Sequence, residues 1–71
     1  MSDATDWTKW FATGHPGGGW KMVRFERVDA DGKPVGKPLE SATPTGRLRL
    51  FRTEADAARH ARYLNIEEGR A

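Results

Sequence analysis

Apolar and polar residues recur with different periods along this chain, and those periods divide it into elements. From Thr53 onward the period is helical. At about 100° per residue, Ala57, Ala58, Ala61 and Leu64 fall on one face, while Asp56, Arg59 and Tyr63 fall opposite. Thr53 ahead of Glu54, Ala55 and Asp56 reads as an N-cap, its hydroxyl accepting an orphan amide and Asp56 placed to reach back. Asn65 suits a left-handed closing residue. The spacing predicts a helix over 54–64, whose alanine face requires close approach to a surface that supplies the bulk.

Arg47-Leu48-Arg49-Leu50 alternates with a period of two, which predicts a half-buried strand with both leucines inward and both arginines outward. Residues 20–28 read as another strand from their aromatic and β-branched content. Apolar residues occur there on both parities; the favoured facing puts Val23 and Phe25 inward and Trp20, Met22, Arg24 and Glu26 outward. Asp29-Ala30-Asp31-Gly32 predicts a hairpin tip with Gly32 at positive φ. Pro34 and Pro38 share parity, so residues 34–40 can form an edge strand with both missing amides on the open side. Trp7, Trp10 and Phe11 have the spacing of a helix capped by Asp3 or Asp6. The glycine-rich loop and Trp20 equally suit a hairpin pairing 7–13 with 20–28, and the strand is favoured. The fold class is α+β: a small antiparallel sheet of three to four strands with one C-terminal α-helix packed on one face. It forms one domain over 1–71, with 1–6 and 66–71 as flexible tails.

Composition narrows the function. The 71 residues contain no cysteine, which excludes disulfides and a thiolate zinc site. A hydrophobic fraction of 37% against 31% charged lies above the disordered range. No apolar run reaches signal-peptide or membrane length, so the chain reads as soluble and cytoplasmic with no membrane partner. A net charge of +2 excludes an acidic DNA mimic and leaves a mild bias toward an anionic partner. Three tryptophans exceed what a core of this size readily hides, and Trp is the leading interface anchor.

Catalytic patterns are missing. Gly14-His15-Pro16-Gly17-Gly18-Gly19 invites a phosphate-loop reading but lacks the Gly-Lys-Ser/Thr ending and a following helix, so a turn is the ordinary reading. His15 and His60 are the only histidines, with no third metal ligand at a suggestive spacing. Asp56 and His60, four residues apart, could pair on the helix surface. No serine or threonine stands in a nucleophile-elbow context, and the carboxylates sit in turns and helix ends. No cofactor, metal or small-molecule substrate is read, and the chain is expected not to be an enzyme. What remains is a surface. Arg24, Arg47 and Arg49, with Arg27 or Lys21 near the strand ends, would project from the outer sheet face beside Trp20. Guanidinium forks interleaved with an aromatic ring suit phosphate, guanine and base stacking. The ordinary alternative for such a stripe is solubility and edge protection.

Phe51-Arg52-Thr53-Glu54-Ala55-Asp56-Ala57-Ala58-Arg59-His60-Ala61 resembles the strand-to-helix junction of plant ethylene-response-factor DNA-binding domains, and is similar to the arm-binding domains of phage tyrosine integrases. Trp20-Lys21-Met22-Val23-Arg24-Phe25 resembles the Trp-led central strand of their three-stranded sheet. Across about residues 20–64 the resemblance implies that sheet with a helix behind it, and Trp20, Arg24, Arg47 and Arg49 entering the major groove from its outer face. The expected function is therefore a small non-catalytic module that binds nucleic acid or a nucleoprotein complex through an Arg/Trp sheet face. The alternative is a phage-type inhibitor of a host defence complex, anti-CRISPR or anti-restriction, that occludes a host protein.

Overall fold

The computed structural model describes residues 6–70 and is organised around a short hairpin. Strands β1 (Phe11–Gly14) and β2 (Trp20–Arg24) pair antiparallel, with Phe11 opposite Val23 and Gly14 opposite Trp20. The loop between them closes on its own backbone: the His15 amide donates to the Gly19 carbonyl at 3.0 Å, and the Gly18 amide to the His15 carbonyl at 2.9 Å. Any other residue at Gly19 would be strained. Its φ is +82°, and a Cβ there would stand 3.1 Å from the Phe51 carbonyl oxygen. The hairpin reading of the N-terminal segment is therefore correct, although its regular part starts at Phe11. Trp7 and Thr8 lie in a turn, and Trp7 joins the sheet through one bond, its carbonyl accepting from the Phe25 amide at 2.8 Å.

Beyond Arg24 the chain leaves regular pairing, so β2 is shorter than the 20–28 expected. The Asp29–Gly32 tip forms as read, with Gly32 at φ +81° and the Asp29 carboxylate accepting from the Asp31 and Lys33 amides, each at 2.9 Å. Of the edge strand expected over 34–40, Pro34 makes one bridge to Val28, and only β3 (Leu39–Glu40) pairs with β2, directly after Pro38. The sheet order is β1-β2-β3. The chain then makes an excursion over 42–50 through a Thr43–Gly46 turn, and returns so that Phe51 exchanges both backbone bonds with Trp20, at 2.9 and 2.8 Å. The alternating strand expected at 47–50 does not form. Leu48 makes a single bridge to Ala42, and Leu50 is 51% exposed because Phe51, one residue on, takes the inward position.

Helix α1 (Glu54–Glu67) packs against β1 and β2. The Thr53 hydroxyl caps it by accepting from the Asp56 amide at 3.1 Å. Asp56 does not reach back; it pairs with Arg59 instead, at 2.7 Å, in place of the pairing with His60 that the spacing allowed. Ala57 and Ala61 are buried against Met22, with Trp10, Ala12, Trp20, Phe51 and Leu64 around them. Ala58 is exposed, one step off the expected face. Asn65 is helical and buried, not a left-handed cap. Its side-chain amide acts as a strand partner for Trp10, Oδ1 accepting from the Trp10 amide at 2.7 Å and Nδ2 donating to the Trp10 carbonyl at 3.1 Å. Closure falls to Gly69 at φ +75°, with the Arg70 amide donating to the Asn65 carbonyl, so residues 66–70 finish the helix where a tail was expected. The remainder of the two expected tails, 1–5 and 71, lies outside the described residues.

Candidate functional site

The four residues expected to share an outer sheet face do not share one. On β2 the helix-facing parity is Trp20, Met22 and Arg24, the reverse of the expected facing. Trp20 packs on the Met22–Ala57–Ala61 core beside Phe51. The Arg24 guanidinium lies over the Trp10 ring at 5.7 Å, with Nη1 donating to the Phe25 carbonyl at 3.3 Å and a longer contact to the Thr8 carbonyl. Its Nε is buried without a partner. Arg24 is thus committed to the N-terminal turn and to a ring, and is not free for a phosphate. Arg47 and Arg49 sit on the 42–50 excursion off the edge of β2. Arg47 is exposed, while the Arg49 side chain donates from Nε to the Ala42 carbonyl at 3.2 Å.

The reversed parity has a physical reason. The other face of the hairpin carries Phe11 opposite Val23, and Trp7 closes it with edge contacts to Phe11 (5.5 Å) and Phe25 (6.0 Å). Val23 and Phe25 do turn to an apolar cluster, as expected, but not the one under the helix. All three tryptophans are half-buried between these two clusters, so none stands out as a free anchor.

A different site emerges on the exposed flank of α1. Phe51, Asp56, Arg59, His60 and Tyr63 line an open groove of about 450 Å³. His60 forms its middle, with its ring 5.4 Å from Phe51 and 5.9 Å from Tyr63, each tilted. Two elements build this row. The bridge to Trp20 pins Phe51 at the end of the excursion, and the helical spacing of His60 and Tyr63 stacks them on one flank. Tyr63 is 56% exposed. Hydrogen bonding to the nearby Glu67 carboxylate and its charge hold the phenol above its ordinary pKa. Arg59 leans toward Asp56 and remains largely exposed.

Charge follows the same segment. Residues 47–65 hold Arg47, Arg49, Arg52, Arg59 and Arg62 against only Glu54 and Asp56, an excess larger than the +2 of the whole chain. The rest of the chain is slightly acidic by difference. Ion pairs among the described residues neutralise only Arg59 in this set. Among the described residues no three His, Cys, Asp or Glu side chains gather as a metal site. No described helix is long and apolar enough to cross a membrane.

The sequence placed Arg59 and Tyr63 on the solvent side of the helix, but nothing in it brought Phe51 to them. The His60–Tyr63 spacing of three was the available signal, and it needed the end of the excursion to become a site. No protein-family model, curated protein or solved structure matches this chain.

Proposed function

We propose that this chain is a small non-catalytic module that binds nucleic acid through its C-terminal third. One observation carries the reading: the segment that holds the chain's whole excess of positive charge also walls its open aromatic groove. Arginines supply phosphate contacts that hold a strand in place, and rings supply sequence-tolerant contact with bases. The resemblance to sheet-based DNA-binding domains points to the same partner class by a different surface. With Trp20 packed under the helix and Arg24 held against Trp10 and the N-terminal turn, the contact falls to Arg47, Arg52 and Arg62, with the groove between the excursion and α1.

A mobility-shift titration of short DNA and RNA probes at micromolar protein and about 50 mM salt tests this, because non-specific affinity alone is visible there. Binding is expected to weaken steeply with salt, the slope shrinking by about one for each phosphate-contacting arginine changed to glutamine. No shift of any probe would overturn the proposal. Occlusion of a protein partner is the second reading, supported by the exposed Leu50, Tyr63 and Ile66 on the same third of the chain. It predicts no nucleic-acid affinity at any salt, and a protein complex weakened by substitution of those three residues.

A further inference from the structure

We infer that the Phe51–His60–Tyr63 groove is a stacking site for an unpaired base, so that the preferred ligand is single-stranded. This rests on the nucleic-acid reading above and goes beyond it by naming the strand state. At about 450 Å³ the groove sits toward the small end of ligand sites, which run from roughly 300 to 1,000 Å³, and suits one nucleotide unit. Its lining is three rings with centroids 5.4 and 5.9 Å apart, the outermost of them the exposed Tyr63. A base inside a duplex has both π-faces covered by its neighbours and cannot reach such a row. An unpaired base can, and every base has a π-face to offer.

Charge complementarity argues for a nucleotide over an apolar peptide as the occupant. Within the lining Arg59 and Asp56 pair with each other, so the unpaired charge comes from the arginines that flank the groove. Arg52 directly follows Phe51, and Arg62 directly precedes Tyr63, both exposed. Both are unpaired among the described ion pairs and within a side chain's reach of a strand crossing the groove, although the Glu67 carboxylate stands beside the Tyr63 hydroxyl. Asp56 is the one carboxylate in the lining. Oδ1 is occupied by Arg59, so its charge is already compensated there. The groove belongs to α1 and the end of the excursion, and both are fixed by the core through Phe51, Ala57 and Ala61. It is preformed, which spares the ligand the cost of ordering it.

The test is fluorescence anisotropy of the full chain with labelled oligothymidylate of about ten nucleotides, and with the same strand annealed to its complement. The single strand is expected to bind at least about tenfold more tightly than the duplex. Tyr63→Ala should weaken the single strand by about 5- to 100-fold and leave the duplex unchanged, whereas Tyr63→Trp should keep the preference. Arg52→Gln with Arg62→Gln should weaken both probes alike. Because Tyr63 is exposed, an unchanged melting curve will show that the Tyr63 variants are folded. Equal affinity for the two probes, or a Tyr63→Ala variant that weakens neither, overturns the stacking site while the arginine effect still upholds nucleic-acid binding. No binding to either probe overturns both.

Discussion

The two faces of the β1–β2 hairpin are both packed, but by different means. On one, Met22 is fully buried under α1, where Ala57 and Ala61 bring the helix backbone close to the sheet. On the other, no helix arrives. Val23 is buried to 4% exposure, and the face is closed by the edges of Trp7, Phe11 and Phe25, which all remain half-exposed. The first face is a jigsaw of small and large residues held by a long element. The second is an aromatic lid held by one turn and a single backbone bond from the Phe25 amide to the Trp7 carbonyl. A sheet this small gains from covering both sides, because its helix alone buries little apolar area. The helix face is where the stability should be concentrated.

The largest effect expected from that difference is at Met22. Met22→Ala should cost about 2–5 kcal/mol in a urea melt, since close-packed alanines cannot collapse into the space. Trp7→Ala removes more atoms but from a half-exposed lid, and should cost less, about 1–3 kcal/mol. Equal losses would mean that the aromatic lid is a second core of the same weight. A smaller loss at Met22 than at Trp7 would reverse the ranking of the two faces.

A sharper comparison lies in how each face holds the N-terminal segment. On the helix side, Asn65 supplies both hydrogen bonds that a neighbouring strand would have given Trp10. Asn65→Ala leaves that amide and carbonyl without partners in a half-buried place, and should cost about 1–3 kcal/mol. Hydrogen exchange at the Trp10 amide should accelerate with it, while exchange at the Phe25 amide, on the Trp7 side, should change less. Unaltered protection at Trp10 would show that the strand is held by its packing and not by the Asn65 amide.

The same contrast explains what was legible in the sequence. The helix, its Thr53 cap and its Ala57/Ala61 face could be read because one side of α1 is solvated and the 3.6-residue period survives. The hairpin tip at Asp29–Gly32 could be read because its turn chemistry is local. The facing of β2 could not, since a strand buried on both sides shows no alternation: Trp20 and Met22 serve one cluster, Val23 and Phe25 the other. The 47–51 segment misled for a related reason. Its Arg-Leu alternation is regular, but register is set by the Phe51–Trp20 bridge, which leaves Leu50 outside. The expected Arg/Trp sheet face failed with these two facings. The groove that replaces it was half visible, as His60 and Tyr63 on an exposed flank, and half dependent on where Phe51 lands.

The smallest effect expected belongs to the turn that carries the aromatic lid. The Asp6 carboxylate accepts from the Thr8 hydroxyl at 2.6 Å and from the Thr8 amide at 3.0 Å, and these two bonds hold its pKa below the ordinary value. A lowered folded-state pKa means that the unfolded chain takes up the proton first as pH falls. The stabilisation is therefore complete above the ordinary carboxylate range and is lost as pH drops through the lowered value. Because Asp6 is exposed, solvent screening keeps the contribution to global stability small, and its effect is local. Acidification should loosen the Trp7 turn before it touches α1. In a pH titration followed by NMR, the Thr8 amide should shift with a midpoint below that of an ordinary aspartate, and contacts between the Trp7 and Phe25 rings should weaken with it. Asp6→Asn should abolish that titration and leave the Trp10–Asn65 pair undisturbed. A Thr8 amide that titrates at the ordinary aspartate value would mean that the turn is not held by Asp6, and that the lid rests on its ring contacts alone.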